Sequence, residues 1–376
     1  MTDFDDIRPY NADEIPAAIQ RMADSEVIPA IADYLGMPAE TLRDRIRTST
    51  TLDAFQQLLL KEIVKDLLGK TSTGFEVTGL EHISENVSYL FVSNHRDIVL
   101  DAMLLLYALN IAGRKPCQVT FGSNLMSHPF VVDFGKVNKM FRTERGGTPK
   151  EFYNSLLHMS EYMRHVITEE QESVWIAQRN GRTKDGIDAT DPAIIKMFGM
   201  SRRDDRVASL AELNIVPVAV SYEWESCDKL KTLELYARQQ YGHYEKQPNE
   251  DLHSILTGIM QPKGRIHFHI CPQVTEEELK TLNEGSSAEF YKHIAQLMDS
   301  RINTSYHLWP NNYIAHDLRS RSDTFAEHYT KEEKATFIRY MEWMNEYPDV
   351  DRSVLEAIFL GIYANPIDTK CCEQHG

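Results

Sequence analysis

Between residues 74 and 303 the chain alternates short apolar segments with longer segments of helical periodicity. The apolar segments have the length of β-strands, and the intervening ones are long enough for amphipathic helices. This alternation is typical of an α/β fold with a mixed sheet flanked by helices. Strands are predicted at 89–93, 118–121, 173–177, 215–222 and 265–270, and helices near 149–169, 275–283 and 287–302.

The segments on either side of this core have a helical pattern. Before residue 70 apolar side chains recur at helical spacing, at Leu52, Phe55, Leu59, Ile63 and Leu67. After residue 304 the pattern is helical again, most clearly over 331–347. We therefore predict an N-terminal helical region (1–73), an α/β core (74–303) and a C-terminal helical region (304–376) packed on the core.

Composition excludes several classes of protein. Forty Lys and Arg against fifty-six Asp and Glu give a net charge of -16, which argues against a nucleic-acid partner. Five cysteines without a C-x-x-C pair indicate neither a disulfide framework nor a zinc cage. The acidic start has no signal-peptide pattern, and the longest apolar stretch falls short of the ~20 residues of a membrane-spanning helix. A cytoplasmic location is predicted.

A polar cluster follows the first predicted core strand, in the sequence Ser93-Asn-His-Arg-Asp-Ile-Val-Leu-Asp101. Catalytic groups favour the ends of such strands. A histidine there, with a carboxylate to hold its tautomer, can take a proton from a hydroxyl near neutral pH. His95 is thus a candidate base, and both Asp97 and Asp101 are candidate partners. A His/Asp pair alone is more often structural.

Two later segments concentrate basic residues beside glycines in an otherwise acidic chain. The first, 135–147, ends in Arg145 followed by paired glycines, which allow a guanidinium group and the backbone to approach a phosphate. The second, 175–186, contains Arg179, Arg182 and Lys184 but lacks Walker-loop spacing. Either segment alone is equally consistent with a solvated charged turn. Together they favour a composite anion site.

Two further strands carry polar residues. The segment 215–223 is an apolar strand with a proline near its start and polar residues at its end, and by itself it indicates only a core strand. His267 and His269 alternate on one face of another predicted strand. Without further ligands they indicate a hydrogen-bonded or solvent-facing pair in preference to a metal site, and no metal is predicted.

In this order and spacing, the four segments resemble the four motif blocks of the glycerol-phosphate and lysophospholipid acyltransferase superfamily. The resemblance covers roughly residues 74–223, and the joint match is more specific than any single block. The matching residues are Asn94-His95 with a following aspartate, Arg145, Asn180-Gly181-Arg182, and Val216-Pro217 with Tyr222-Glu223.

The resemblance implies a mechanism in which His95, oriented by an aspartate, deprotonates an acceptor hydroxyl for direct attack on an acyl thioester. No acyl-enzyme, metal or cofactor is implied. It also implies that the arginines of the second and third blocks, Arg145 and Arg182, hold the phosphate of the acceptor. The substrate-binding residues are then Arg145, Arg182, Gly181, Asn180 and Lys184.

The sequence departs from the family pattern at two places. Five residues separate His95 from Asp101, where the pattern has four, and one residue separates it from Asp97. We favour Asp101 as the orienting carboxylate, with Asp97 as the alternative. Asn180 stands where the third block usually has glutamate, and this bears on the identity of the acceptor more than on acyl transfer.

The function expected from this resemblance is O-acyl transfer from acyl-ACP or acyl-CoA to glycerol-3-phosphate or 1-acyl-glycerol-3-phosphate. The acceptor is then a phosphate-bearing glycerolipid, which implies a peripheral contact with the cytoplasmic membrane face. Two alternatives remain open. One is an N-acyltransferase that makes amino-acid lipids, and the other is a lipid-binding protein with a decayed active site.

Overall fold

The computed structural model describes residues 4–125, 128–144, 146–247 and 250–375. Its strands are β1 Ser72–Thr78, β2 Leu90–Ser93, β3 Cys117–Gly122, β4 Met140–Thr143, β5 Ser173–Ala177, β6 Ile215–Tyr222 and β7 Gly264–Ile270. They form one seven-stranded sheet in the order β1-β7-β6-β2-β5-β3-β4. Strands β6 and β7 pair antiparallel and all other pairs are parallel. The predicted α/β class with a mixed sheet is confirmed.

Helices precede, flank and follow this sheet. They are α1 Ile15–Ala23, α2 Ile28–Leu35, α3 Ala39–Thr48, α4 Leu52–Gln57, α5 Lys65–Thr71, α6 Leu100–Ile111, α7 Pro129–Val137, α8 Pro149–Thr168, α9 Pro192–Phe198, α10 Arg206–Ala211, α11 Asp228–Tyr241, α12 Glu250–Met260, α13 Glu276–Leu282, α14 Ser287–Ser305, α15 Pro310–Ser320, α16 Lys331–Tyr340 and α17 Arg352–His375. A π-helix covers Leu58–Val64, and short 3-10 helices cover Leu80–His82, Ser123–Leu125, Ala326–His328 and Met341–Glu346.

The five predicted strands match the observed ones to within one residue at each end. Two strands were missed, β1 and β4, and they are the two edges of the sheet. An edge strand is less enclosed than a central one and needs no continuous apolar run. Helix α5, which ends at Thr71, passes directly into β1, which begins at Ser72.

The sheet is covered by apolar residues on both faces. Side chains of β2 alternate between two clusters, with Phe91 in one and Leu90 and Val92 in the other. The first cluster includes α6 and the helical stretch that ends in α5. The second includes α8, α9 and α14. Strand β6 is buried along its whole length.

The N-terminal helices pack in a third cluster that includes Phe55 and, from α7, Val137. The π-helix joins this cluster to the core, because Leu58 packs among the N-terminal helices while Leu59 and Leu60 pack beneath the sheet. The helical stretch before residue 73 therefore continues into the α/β core without a linker.

The C-terminal helices form a fourth cluster, which includes Phe337 and Phe359. Trp224, two residues after β6, packs against this cluster. The predicted helix over 331–347 is α16 followed by the 3-10 turn Met341–Glu346. Among the described residues, the structure has no helix both long and apolar enough to cross a membrane.

Two histidines of β7 share one hydroxyl group of β1. Thr78 Oγ1 lies 3.0 Å from His267 Nε2 and 2.8 Å from His269 Nδ1. Burial lowers the pKa of His267 to about 4, and the neighbouring His307 ring acts in the same direction. The His267 ring is therefore neutral in the folded protein under ordinary conditions.

The low pKa of His267 predicts a pH-dependent contribution to stability. The unfolded chain, with an ordinary pKa of about 6.5, binds more protons than the folded one between about pH 4 and pH 6.5. The contribution is therefore complete above that interval and is lost as the pH falls through it. We expect His267→Gln, which keeps a hydrogen-bonding side chain beside Thr78, to weaken this acid sensitivity.

The measurement is the urea midpoint at about pH 5 and about pH 7.5. Other titratable groups near the ring are His307, His269, Glu76 and Lys370, and all four are retained in the variant. His253→Gln, at an exposed position of α12, serves as the control. An equal loss of stability in acid for both variants would contradict the prediction.

Candidate active site

Three motif segments meet at one edge of the sheet. Strands β6, β2 and β5 are parallel neighbours, so their carboxyl ends lie side by side. His95 follows β2, Tyr222 ends β6, and residues 179–188, here called the block-three loop, follow β5. Ligand sites of α/β sheets are commonly built at this edge. The topology therefore brings the first, third and fourth motif blocks together.

The imidazole ring of His95 is paired with a carboxylate. Its Nδ1 lies 3.0 Å from Asp101 Oδ2, and the side chain is 11% exposed. The edge of the ring faces Trp175 at a centroid distance of 6.1 Å. Because an ionised carboxylate can only accept hydrogen bonds, the pairing places the proton on Nδ1 and leaves Nε2 as the basic nitrogen.

Asp101 is itself held by three more donors. Its Oδ2 accepts the backbone N–H of Arg96 at 2.7 Å and of Asp97 at 2.9 Å. Its Oδ1 accepts the hydroxyl of Tyr222 at 2.9 Å. Burial and the charge of Asp101 raise the pKa of Tyr222 well above its usual value, so the phenol stays protonated. Asp101 lies in the first turn of α6, where a negative charge is favourable.

Asp97 binds other groups than the His95 ring. Its Oδ1 accepts the backbone N–H groups of Val99 and Leu100, at 2.9 and 2.8 Å, where α6 begins. Its Oδ2 accepts the hydroxyl of Ser226, and a Cβ on Gly258 of α12 would lie 2.1 Å from that oxygen. Of the two aspartates left open by the sequence, Asp101 contacts the ring. Asp97 links the turn to the segment after β6.

A buried network of charges lies behind the histidine. Arg96 is 1% exposed and binds Asp188 Oδ2 at 2.5 Å and Glu225 Oε2 at 3.3 Å. Lys231 Nζ binds Glu225 Oε1 at 2.6 Å and the carbonyl of Arg96 at 2.8 Å. The guanidinium group also lies 5.0 Å from the ring centroid of Tyr306. Two cations and two carboxylates compensate one another, which burial of charge requires.

Sequence reasoning missed these four charged residues. Arg96 stands beside the predicted base, and this position is the only hint that the sequence offers. Asp188 follows β5, whereas Glu225 and Lys231 follow β6, and no spacing rule connects them with residue 96.

The block-three loop touches the histidine directly, since the N–H of Thr183 donates to the carbonyl of His95 at 2.7 Å. Gly181 has a φ of 77°, in the left-handed region that favours glycine. Asn180 is exposed. The Nη1 atom of Arg182 is buried and has no hydrogen-bond partner among the residues that the structure describes. A buried donor of this kind is costly unless a ligand or an ordered water molecule satisfies it.

Two charged residues of the motif blocks have protein partners. Lys184 is ion-paired with Glu234 of α11, and its role as a substrate-binding cation stays a prediction. Glu223 forms an ion pair with Arg265 at 2.7 Å. Arg145, the predicted phosphate ligand of the second block, lies outside the described residues. Within those residues no three His, Cys, Asp or Glu side chains are arranged to hold a metal ion.

Comparison with known proteins identifies the class. Residues 74–221 match the family model described as Acyltransferase, and this range includes the first three blocks and Val216-Pro217 of the fourth. The predicted acyltransferase resemblance is confirmed over this range: the chain contains an acyltransferase domain. As an enzyme, the protein is an acyltransferase that acts with an acyl donor and a lipid acceptor.

The wider comparisons are less informative. No curated protein sequence matches the chain significantly. Among solved structures, the chain is similar to the 1-acyl-sn-glycerophosphate (LPA) acyltransferase PlsC from Thermotoga maritima, with 12% sequence identity. That alignment covers 78% of this chain and 97% of the other, with a TM-score of 0.38.

The geometry of the site predicts the tautomer of His95. In the parent protein the neutral ring should carry its proton on Nδ1, observable in the side-chain ¹⁵N spectrum of labelled histidine and assigned with His95→Gln. Asp101→Ala removes the acceptor of that proton, and we expect the ring to populate the other tautomer. Alanine is chosen because an asparagine oxygen facing the same backbone N–H groups would still accept from Nδ1.

The matched control is Asp97→Ala. It removes a buried carboxylate from the same turn but none that contacts the ring, so the Nδ1–H tautomer should persist. A change of tautomer in Asp97→Ala, or its persistence in Asp101→Ala, would contradict the assignment.

Proposed function

We propose that the protein transfers a fatty acyl group from acyl-ACP or acyl-CoA to a hydroxyl of glycerol-3-phosphate or 1-acyl-glycerol-3-phosphate. One observation carries the proposal. His95 takes part in two contacts: its ring binds Asp101, and its backbone carbonyl accepts the N–H of Thr183 in the block-three loop. Arg182, the proposed cation for the phosphate, directly precedes Thr183 in the chain, so the base and the cation lie on adjoining segments.

In the proposed reaction Nε2 of His95 takes the proton of the acceptor hydroxyl as its oxygen attacks the thioester carbonyl. The imidazolium ion that forms is stabilised by the ionised Asp101. The tetrahedral intermediate collapses by breaking the carbon–sulfur bond, and the imidazolium returns its proton to the departing thiolate. The acyl group passes directly between substrates, with no covalent bond to the protein.

Arg182 is proposed to bind the phosphate of the acceptor. Its buried Nη1 lacks a partner among the described residues, and a phosphate oxygen would supply a charge-assisted hydrogen bond. The left-handed conformation of Gly181 leaves the backbone beside it open to close approach. By the family resemblance Arg145 and Asn180 would contribute to the same subsite. Lys184 is left out because Glu234 already neutralises it.

The site and the acceptor together imply where the protein works. A lysophosphatidate acceptor resides in a membrane, so the proposal includes a peripheral contact with the cytoplasmic membrane face. The acyl donors, acyl-ACP and acyl-CoA, are supplied from the cytoplasm.

Loss of the base should abolish the chemical step. We expect His95→Ala to lower the rate of acyl transfer by about 10² to 10⁴-fold, the usual contribution of general base catalysis. The assay follows thiol release from acyl-CoA and the acylated product with glycerol-3-phosphate, 1-acyl-glycerol-3-phosphate or glycine as acceptor. His253→Ala, at an exposed position, is the control. Equal rates in His95→Ala and the parent would refute the role of the base, and transfer to glycine alone would indicate an N-acyltransferase.

Removal of the proposed phosphate-binding cation should weaken binding of the acceptor without changing binding of the thioester. Arg182→Ala is expected to raise the KM of the phosphate acceptor by about 10 to 100-fold, the value of a hydrogen bond between charged groups. The KM of the thioester should stay within about twofold. Lys184→Ala should change neither value much, since its charge is compensated by Glu234. The reverse order of effects would assign the phosphate to Lys184.

A further inference from the structure

The block-three loop is held on its outer side by the C-terminal helix α17. The carbonyl of Asp185 accepts a hydrogen bond from Asn365 Nδ2 at 2.8 Å. At the next residue, a Cβ on Gly186 would lie only 2.2 Å from the carbonyl oxygen of Ile362. Both contacts come from residues beyond the range of the acyltransferase family model, which ends at residue 221.

The contact at Gly186 depends on two special residues. In a regular helix the carbonyl of Ile362 would accept the N–H of residue 366, but that residue is Pro366 and has none. The carbonyl is therefore without its helical partner where the loop reaches it. Gly186 has a φ of 82°, and its missing side chain leaves the space that the carbonyl occupies.

The amide of Asn365 is oriented by a second helix. Its Oδ1 accepts a hydrogen bond from Arg319 Nη1 of α15 at 2.6 Å, so its NH₂ group must face the loop. Arg319 Nη2 in turn binds Asp368 Oδ2, one turn further along α17, at 2.6 Å. The donor that holds Asp185 is thus fixed in position by the packing of α15 against α17.

The inner side of the same loop is bound to the first motif block. The carbonyl of Gly186 accepts from Arg96 Nη2 at 3.4 Å, and Asp188 binds Arg96 and, at 2.7 Å, the hydroxyl of Thr183. Thr183 then contacts the carbonyl of His95 through its N–H. The loop is clamped between α17 and the turn that carries the histidine, and Arg182 lies within the clamped segment.

We propose that α17 sets the position of the block-three loop relative to His95, and that Asn365 and Gly186 are positioning residues for acceptor binding. The inference rests on the proposed function, in which Arg182 binds the acceptor phosphate. Because α17 acts on this loop and not on the ring or on Asp101, loss of its contacts alters binding of the acceptor while the chemical step persists.

The test separates the KM of the acceptor from kcat and from the KM of the thioester. Asn365→Ala removes one hydrogen bond to the loop, and we expect about a fivefold rise in the KM of glycerol-3-phosphate and of 1-acyl-glycerol-3-phosphate. The values of kcat and of the acyl-CoA KM should stay within about twofold of the parent. Gly186→Ala should raise the acceptor KM further, since the loop must move away from Ile362.

The matched control is Glu356→Gln, which weakens an ion pair of the same helix, to Arg352, without touching Arg319 or the loop. Its acceptor KM should equal that of the parent. Thermal unfolding of each variant shows whether the fold is retained, and Asn365→Ala carries the test if Gly186→Ala does not fold. An acceptor KM unchanged in Asn365→Ala, or raised equally in Glu356→Gln, overturns the inference and leaves the proposed function intact.

Binding of glycerol-3-phosphate, measured by calorimetry, separates the two hypotheses. If the parent binds it but transfers no acyl group to it or to 1-acyl-glycerol-3-phosphate, the proposed function fails. The positioning role is then judged by the binding constants, which should differ about fivefold between the parent and Asn365→Ala. If the parent neither binds nor acylates these acceptors, both proposals are overturned.

Discussion

The carboxylate of Asp101 is the point on which the site and the turn beneath it both depend. It accepts four hydrogen bonds, from the ring of His95, two backbone N–H groups and the phenol of Tyr222. Each donor left buried without an acceptor would cost about 1–3 kcal/mol. The turn that leads from β2 into α6 and the tautomer of the ring are therefore stabilised by one group. Replacing Asp101 with a residue that accepts no hydrogen bonds would therefore leave the ring and the backbone N–H groups of the same turn without their acceptor.

The buried ion pairs behind the histidine connect the first motif block with residues much later in the chain. Arg96, with Lys231 beside it, joins the first motif block to Asp188 of the third and to Glu225 after the fourth. In a chain with a net charge of -16, these buried cations are matched one for one with carboxylates, as burial of charge requires. Tyr306 covers the guanidinium group from the C-terminal side. The candidate site is thus completed by residues that lie outside the acyltransferase domain.

The sequence predicted those features that depend on local patterns. The central strands carry apolar runs, and the strand-end position of His95, together with the family blocks, led to Asp101 and Arg182 as candidates. Partners across the sheet were not predictable, because the ion pairs of Arg96 join residues that only the strand order brings together. Lys184 is a further example. Its charge can be read from the sequence, but its ion pair with Glu234 depends on where α11 packs and could not be predicted.

The two edge strands have a consequence for association. An unpaired strand can recruit a strand from another molecule, and long apolar edges are the most prone to do so. Strand β4 is four residues long and exposes Arg142, while β1 exposes Thr73, Gly74 and Glu76. Neither edge offers an incoming chain a long apolar strip. The polar residues of these strands made them hard to predict from the sequence. The same residues disfavour the addition of a strand from another molecule, and hence aggregation.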